Sequence, residues 1–324
     1  MRVMVTGGTG FLGGHVVRAL LDEGHEPHLL VRSEAKLRRL VELFDLPAQI
    51  GHTRGDILDA RSVSRSLEGA DACVHAAAFT TLDPAEMDKC LEINAPGAKI
   101  VLDAAVAAGC DPVVHISSIS CIFPPVGDMA DAEVDQVHSS EAPYSRSKAD
   151  SDLYARELQA AGHPVLILYP SGVTGPDDLD LNVLSAYLIN ILSSDVLMNG
   201  PSGGWSLVDV RDVALATARL MRRGLGPRRF LAQGEVVSFA EFNAALNEVT
   251  GLERAVVAMS RDDLLAVMDE EAVDIMLELK PGNDAPLLRE TGIAWRPLRD
   301  TVRDTVQWLV TTGHLDTKWA PAIT

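Results

Sequence analysis

The N-terminal stretch of this 324-residue chain places three glycines between the pattern of a strand and the pattern of a helix. The strand pattern is Arg2–Thr6. The glycines follow it directly, at Gly7, Gly10 and Gly13. Apolar residues then recur with the period of a helix, at Leu12, Val16, Val17, Leu20 and Leu21. Gly24 is placed to end that helix before a second apolar strand, Pro27–Val31, so the order indicates a βαβ unit.

The three glycines have separate roles in such a turn. Gly7 allows a tight turn off the strand, Gly10 lets the backbone approach a pyrophosphate, and Gly13 lets the helix lie close to the sheet. The unpaired N–H groups and the positive end of the helix dipole then face the phosphates. In this context of strand and helix, the turn predicts a dinucleotide-binding unit rather than an ordinary strand–turn–helix.

The spacing of the glycines also resembles that of a known family. It is Gly-x-x-Gly-x-x-Gly, with Thr6 in front and Phe11 and Leu12 inside, and it resembles the extended branch of the short-chain dehydrogenase/reductase superfamily. The resemblance implies an α/β fold, a doubly wound parallel Rossmann sheet with a smaller, mainly helical C-terminal substrate-binding region. Residues 1–168 and 207–233 would form the NADP-binding domain, and residues 169–206 and 234–324 the substrate-binding domain.

Composition argues against several other classes of protein. A hydrophobic content of 47% supports a large core, and a net charge of −18 argues against nucleic acid or an anionic membrane surface as a partner. The four cysteines form no CxxC pair, so neither a metal site nor a disulfide framework is predicted. The sequence shows no signal-peptide pattern and no apolar run of about 18 residues, so we expect a cytoplasmic protein.

The cofactor preference is predicted from Arg32, which stands nineteen residues after Gly13 at the tip of the second strand. An acidic residue here would accept hydrogen bonds from the adenosine ribose, whereas a basic residue suits a 2′-phosphate. We therefore expect NADP(H) to be preferred, with NAD(H) as the second cofactor that such a site can accept. The alternative is a solvated arginine at a strand end.

The catalytic prediction depends on Tyr144 and Lys148, which are four residues apart and share one face of a helix. A phenol has a pKa of about 10, and a nearby ammonium and an oxidised nicotinamide favour the phenolate. Tyr144 can then exchange a proton with a substrate hydroxyl near neutral pH, and Lys148 can also bind the nicotinamide ribose. Three serines follow the predicted fifth strand, Pro112–Ile116. Ser118 aligns best with the family's catalytic serine, while Ser117 and Ser120 remain alternatives.

Several further positions match the family and imply contacts with the cofactor. Asp56 would hold the adenine amino group, although it could instead cap a helix, a role that Asp59 fills better. Asn94 belongs to an Asn-x-x-Gly pattern with Gly97, although it could be a plain surface residue, and His75 is expected to be structural. The full predicted set is Gly7, Thr9, Gly10, Phe11, Leu12, Gly13, Arg32, Asp56, Ile57, Ala76, Ala77, Ala78, Asn94, Ser117, Tyr144, Lys148, Tyr169, Pro170, Gly172 and Val173.

The segment after the predicted sixth strand, Val165–Leu168, indicates the kind of substrate. Sugar-nucleotide epimerases and dehydratases of the resembling family usually carry Arg at the position of Tyr169 and Asn at that of Gly172. The form found here looks more like that of dihydroflavonol reductases, cinnamoyl-CoA reductases and hydroxysteroid dehydrogenases. The leading hypothesis is therefore a reductase of a fairly apolar ketone or aldehyde. The alternatives are a sugar-nucleotide epimerase or dehydratase, and an NADP(H) sensor without turnover, a class that tends to lose the tyrosine or the lysine.

The remaining chain carries weaker signals. Residues 124–143 are expected to form a loop over the pocket, Leu179–Met198 a helix, and Leu207–Val210 a strand that returns to the first domain together with the helix Asp212–Arg222. Ser238 and Ser260 open helices with capping boxes. The expected partner is a small-molecule substrate, and a homodimer through paired helices is a further expectation from the superfamily.

Overall fold

The computed structural model describes residues 1–81, 83–125, 127–138, 141–268 and 270–323. Among these residues, no helix has both the length and the apolar character needed to cross a bilayer. The strands, in chain order, are β1 (Arg2–Thr6), β2 (Glu26–Val31), β3 (Gly51–Arg54), β4 (Ala72–His75), β5 (Val113–Ile116), β6 (Val165–Pro170), β7 (Gly172–Thr174), β8 (Val196–Asn199), β9 (Gly204–Asp209), β10 (Arg228–Ala232), β11 (Glu235–Ser238) and β12 (Ala255–Ala258).

Helices cover most of the chain between these strands. In chain order they are α1 (Phe11–Asp22), α2 (Glu34–Phe44), α3 (Ala60–Ser66), α4 (Asp88–Ala107), α5 (Pro143–Ala160), α6 (Val183–Leu192), α7 (Val210–Arg219), α8 (Phe239–Thr250), α9 (Arg261–Leu265), α10 (Glu270–Leu277), α11 (Ala285–Thr291) and α12 (Leu298–Thr311). The capping boxes predicted at Ser238 and Ser260 are confirmed, with Glu241 and Asp263 as their acidic members.

The main sheet has seven strands in the order β10-β6-β5-β4-β1-β2-β3, and each neighbouring pair is parallel. The direction of winding reverses between β1 and β4, which leaves a crevice at the carboxyl ends of these strands. The predicted doubly wound Rossmann sheet is therefore confirmed. Ligands of such sheets bind in that crevice.

Both faces of the sheet are covered, which explains why its strands are almost continuously apolar. One face packs against α1, α2 and α7 through a core that includes Val5, Leu20, Leu40 and Val213. The other packs against α3, α4 and α5 through a core that includes Met4, Val101, Ala105 and Ala155. The two layers of helices hold the strand ends, and so the crevice, in fixed positions.

The C-terminal region is mainly helical, as expected, but it also includes short strands. It contains a three-stranded sheet, β11-β9-β7, and a two-stranded sheet, β12-β8, around a third core that includes Leu192, Leu246 and Val306. The predicted helix Leu179–Met198 is wrong in extent, because α6 ends at Leu192 and the Ser194 hydroxyl bonds to both main-chain groups of Val196 in a turn before β8. The domain boundaries stay a prediction.

Two strands differ from the sequence-based expectation. The predicted strand Leu207–Val210 is present as β9, but it pairs with β7 and β11 and not with the main sheet, so only α7 packs back against α1. The seventh strand of the main sheet is β10, which the sequence did not indicate because it opens with two arginines, Arg228 and Arg229. Only its last three residues, from Phe230 to Ala232, are fully buried.

Candidate active site

The glycine turn has the close contacts that its predicted roles require. Gly7 has a φ of +72°, and a Cβ atom there would lie 2.6 Å from the main-chain N of Ala77. A Cβ atom on Gly13 would overlap the main-chain O of Gly7. Helix α1 starts at Phe11, and its N-cap, Gly10, has no side chain to occupy the first N–H groups. The turn therefore presents main-chain donors and a positive dipole end at the crevice.

The end of β4 forms the floor beside this turn. The Thr6 hydroxyl lies 2.7 Å from Nδ1 of His75 and accepts a bond of 3.4 Å from the main-chain N of Ala77, which fixes the alanine run against the glycine turn. His75 is buried and its ring stacks on that of His115, with centroids 5.5 Å apart. Burial lowers the pKa of His75 to about 3, so the ring is neutral and acts as a structural group, as expected.

Two arginines lie at the carboxyl ends of β2 and β3. Arg32 directly follows β2, and the register of β2 with β3 pairs Val31 with Arg54, which brings Arg54 to the same sheet edge. Both side chains are exposed, and neither makes a hydrogen bond or ion pair with the residues that the structure describes. His52, on the same side of β3 as Arg54, lies 3.3 Å from the Glu34 carboxylate at the start of α2. Sequence reasoning missed Arg54, because only strand pairing brings it near Arg32.

Asp56 and Ile57, two of the predicted cofactor contacts, lie in the turn that follows β3. An Asp56 carboxylate oxygen accepts from the main-chain N of Leu58 at 3.0 Å, so it shapes the turn after β3. The helix-capping role belongs to Asp59, as the sequence suggested, since it accepts from the N of Arg61. Ile57 packs closely on α4: a Cβ atom on Gly97 would lie 2.5 Å from its Cδ1.

Asn94 is a buried connector and not a surface residue. Its Oδ1 accepts from the main-chain N of Phe79 at 2.7 Å, and its Nδ2 donates to the Phe79 carbonyl and to the Ser147 hydroxyl at 3.0 Å each. It therefore ties α4 both to the segment after β4 and to α5. The alternative of a plain surface asparagine is wrong.

Helix α5 brings the predicted catalytic pair to the end of β5. Tyr144 is half-buried in the first turn of α5, and Lys148 is buried one turn later. The Lys148 ammonium donates to the carbonyl of Ile116 at 3.0 Å, two residues before Ser118. Burial lowers the pKa of Lys148, and the negative charge of Asp152 opposes that shift. Helix α5 thus holds Lys148, one turn after Tyr144, at the strand end that leads to Ser118.

The structure separates the three candidate serines. Ser117 is buried and donates to a carboxylate oxygen of Asp152 at 2.9 Å. Ser118 is half-buried, and its oxygen accepts from the main-chain N of Ser120 at 3.2 Å and from the Ser120 hydroxyl at 3.0 Å. Because Ser118 accepts both bonds, its own proton stays available for a substrate oxygen. This arrangement favours Ser118 over the other two serines as a substrate contact.

The Tyr169 side chain points away from the crevice. It is fully buried, and its hydroxyl bonds to the Arg156 guanidinium at 3.0 Å and to an Asp152 oxygen at 3.3 Å. Any cofactor contact at Tyr169 would therefore be made by its main-chain atoms. Close by in β7, a Cβ atom on Gly172 would lie 2.9 Å from the carbonyl of Ser206, so the position has no room for the asparagine of the epimerase pattern.

Lys148, Asp152 and Arg156 continue the stripe that Tyr144 begins, at intervals of four residues along α5. The Asp152 carboxylate is fully buried and lies 2.8 Å from the Nε of Arg156. Sequence reasoning missed Asp152 and Arg156. The repeated spacing of four, which places all these side chains on one side of the helix, was the signal that could have revealed them.

Comparison with known proteins assigns the family. The model of the NAD dependent epimerase/dehydratase family matches residues 3–232. The chain therefore belongs to that family, within the extended short-chain dehydrogenases/reductases. Like the reductases and dehydrogenases among its relatives, it is an oxidoreductase that uses a nicotinamide dinucleotide.

The relatives resemble the chain over nearly its whole length. A "Sterol demethylase protein B" of Methylococcus capsulatus is 25% identical, over 97% of this chain and 100% of its own. Cinnamoyl-CoA reductase 1 of rice, Oryza sativa subsp. japonica, is 26% identical, over 97% of this chain and 91% of its own. The structure of UDP-glucose-4-epimerase from Stenotrophomonas maltophila, with bound NAD and formylated UDP-arabinopyranose, superposes with a TM-score of 0.77 at 20% identity, over 97% and 99%. At that identity the likeness shows the fold alone.

Proposed function

We propose that this protein is an NADP(H)-dependent reductase of a fairly apolar ketone or aldehyde, or in reverse a dehydrogenase of the secondary alcohol. The observation that carries the proposal is that the Lys148 ammonium bonds to the Ile116 carbonyl at 3.0 Å, at the strand end that leads to Ser118, with Tyr144 one turn earlier on the same helix. The bound nicotinamide would supply or accept the hydride. The three side chains handle the oxygen and its proton.

Each of the three groups has one task in this proposal. The Ser118 hydroxyl donates a hydrogen bond to the carbonyl oxygen of the substrate and orients it, since its oxygen already accepts from Ser120. The Tyr144 phenol gives its proton to that oxygen as the carbonyl carbon is reduced. The positive charge of Lys148 favours the phenolate that this step leaves behind, and its ammonium can also hold the nicotinamide ribose.

The substrate class is inferred from the segment around β7. Its glycine at position 172 is packed against Ser206, and Tyr169 is committed to a buried network, so neither supplies the polar side chain found in the sugar-nucleotide pattern. The rice relative is named as a cinnamoyl-CoA reductase. The packed glycine at position 172 and the buried Tyr169 support an apolar substrate more than a nucleotide sugar.

The preference for NADP(H) is inferred from Arg32 and Arg54. Both guanidinium groups are exposed at one sheet edge, where the adenosine ribose of a dinucleotide lies in this fold. A 2′-phosphate adds about two negative charges, which the overall charge of −18 would repel unless local cations compensate. Two arginines at this edge provide that compensation.

The test is a panel of aryl aldehydes, aryl ketones, cinnamoyl-CoA and a 3-ketosteroid, set against UDP-, GDP- and TDP-sugars. Oxidation of NADPH and NADH is followed by absorbance, and binding by calorimetry. We expect NADPH-dependent reduction of members of the first group and no saturable binding of the second. A micromolar dissociation constant for any nucleotide sugar would favour the epimerase or dehydratase alternative. Tight NADPH binding with no turnover of any carbonyl would favour the sensor.

A further inference from the structure

A buried polar network lies behind the catalytic strand end and is distinct from the three catalytic side chains. Its centre is Asp152, whose carboxylate has no exposed surface and receives three donors: the Ser117 hydroxyl at 2.9 Å, the Arg156 Nε at 2.8 Å and the Tyr169 hydroxyl at 3.3 Å. Arg156 also donates to Tyr169 at 3.0 Å, so two of the three partners of Asp152 are bonded to each other as well.

The network joins three separate parts of the chain. Ser117 is the residue just before Ser118, and its main-chain N donates to the carbonyl of Leu168 in β6 at 2.8 Å. Arg156 reaches outward and donates to the carbonyls of Val134 and Asp135, at 2.6 Å and 3.2 Å, in the segment expected to cover the pocket. Asp152 thus connects α5, the strand end of β5 and this segment.

A charged group in this position requires an explanation, because burying a carboxylate costs several kcal/mol unless it is paired and fully hydrogen-bonded. A hydrophobic side chain would fill the same space without that cost. Burial raises the pKa of Asp152, whereas the charge of Arg156 opposes the shift. Unlike a hydrophobic side chain, the carboxylate makes hydrogen bonds of defined geometry, and these hold Ser117 and Arg156 in fixed positions at the same time.

We propose that Asp152 and Arg156 are positioning residues. Through Ser117, Asp152 holds the strand end that carries Ser118 in register with Tyr144 and Lys148 on the same helix. Through Val134 and Asp135, Arg156 holds the pocket segment to that assembly. Catalytic geometry depends on such supports, because a displacement of about 1 Å at a reacting group can cost on the order of a hundredfold in rate.

Hydrogen exchange measured by mass spectrometry tests the proposal without a substrate. In Asp152→Asn we expect the amides of residues 116–122 and 129–138 to exchange about tenfold faster or more. Ser117→Ala keeps the buried ion pair and removes only the link to the strand, so it should affect residues 116–122 alone. The matched control is Asp150→Asn, which removes the same charge from the exposed side of α5 and should leave both segments unchanged.

Turnover supplies the second readout, and this arm depends on the proposed function. With the best carbonyl of the panel, kcat should fall about tenfold or more in Asp152→Asn and in Ser117→Ala, while the Kd of NADPH in Asp152→Asn stays within about twofold. The double variant should be no slower than Asp152→Asn alone, because both changes break one connection. A general loss of stability would instead speed exchange throughout β1 and β2 as well.

The outcomes separate the two proposals. If the wild type reduces no carbonyl, the proposed function fails, and hydrogen exchange still decides on the network. If the wild type is active but Asp152→Asn and Ser117→Ala match Asp150→Asn in exchange and kcat, the positioning role is overturned. If Asp152→Asn does not fold, Ser117→Ala decides by itself, since it leaves the pair with Arg156 intact.

Discussion

At the scale of single residues, turnover should depend most on the hydroxyl of Tyr144. Tyr144→Phe should bind NADPH nearly as well as the wild type, because the phenol oxygen is not needed to hold the nucleotide. Its kcat should fall by about 10² or more, the usual effect of losing a positioned proton donor. Steady-state kinetics and a fluorescence titration with NADPH measure the two quantities separately.

Lys148→Ala serves as the contrast to Tyr144→Phe. Lys148 bonds to the Ile116 carbonyl, and we propose that it also holds the ribose, so its loss should weaken NADPH binding and lower kcat together. A Tyr144→Phe protein that turns over at the wild-type rate would refute the assignment of Tyr144. A Lys148→Ala protein with unchanged NADPH affinity would remove the lysine from the cofactor site.

In our proposal, cofactor choice also depends on single residues, Arg32 and Arg54, which lie at the same sheet edge. Arg32→Ala should reduce the preference for NADPH over NADH about ten- to a hundredfold, because a charge-assisted bond contributes about 1.5–3 kcal/mol. Arg54→Ala should act in the same direction. Arg32→Asp should invert the preference, since a carboxylate accepts from the ribose hydroxyls and repels a phosphate. Titrations at low and high salt measure the ratio of the two dissociation constants.

Arg38→Ala is the matched control for both arginines, since it removes an exposed positive charge from α2. It should leave the NADPH:NADH ratio unchanged. Equal affinity of the wild type for the two cofactors would show Arg32 to be a solvated residue. If Arg54→Ala changes the NADPH:NADH ratio no more than Arg38→Ala does, Arg54 does not contact the 2′-phosphate, and the assignment of Arg32 is unaffected.

At the scale of elements, the glycine turn and α1 form one rigid unit. Gly13→Ala would place a methyl group against the Gly7 carbonyl and push α1 away from the turn. Overpacking of this kind costs about 1–3 kcal/mol of unfolding free energy. We also expect the Kd of NADPH to rise tenfold or more, because the helix N-terminus would no longer face the phosphates. Urea denaturation and calorimetry measure the two effects.

Gly24→Ala is the corresponding control at the other end of α1. Gly24 has a φ of +78° but open space around a Cβ atom, so the change should cost about 1 kcal/mol through backbone strain alone. Its effect on NADPH binding should be negligible. If both variants bind NADPH as the wild type does, the turn does not hold the pyrophosphate.

Elements with a clear period or cap could be predicted from the sequence, whereas others depend on long-range pairing. The stripe of α1 and the capping box at Ser238 are local signals, and both elements form as predicted. By contrast, β10 begins with two arginines and becomes a strand only because β6 offers it an edge. In the site, the spacing of Tyr144 and Lys148 could be recognised locally. The proximity of Arg54 to Arg32 at one sheet edge, and the bond from Ser117 to Asp152, arise only when the sheet and α5 are folded.

At the scale of the whole molecule, buried histidines should make stability depend on pH. Burial lowers the pKa of His15 to about 4 and that of His75 to about 3, so both stay neutral in the folded state. Unfolded histidine takes up a proton below about pH 6.5. The unfolded state therefore binds more protons as the pH falls from 6.5 towards 4, and stability is lost in that window, by roughly 1.4 kcal/mol per pH unit for each histidine.

The measurement is the unfolding free energy in urea at several pH values between 7.5 and 5. His75→Asn keeps a polar group near Thr6 and removes the titrating ring. The slope of its unfolding free energy against pH should therefore be smaller than that of the wild type, by the equivalent of about one bound proton. Parallel curves for the variant and the wild type would contradict the prediction.

The position of β10 in the main sheet has a consequence for synthesis on the ribosome. Its partner β6 ends at Pro170, but β10 begins only at Arg228, after the chain has contributed β7, β8 and β9 to the smaller sheets. Until then the outer edge of β6, a strand whose six residues are all buried in the finished protein, has no neighbour. Such an edge can pair with another nascent chain. Pauses in translation between these two strands should therefore lower the soluble yield, and chaperones that shield extended apolar segments should restore it.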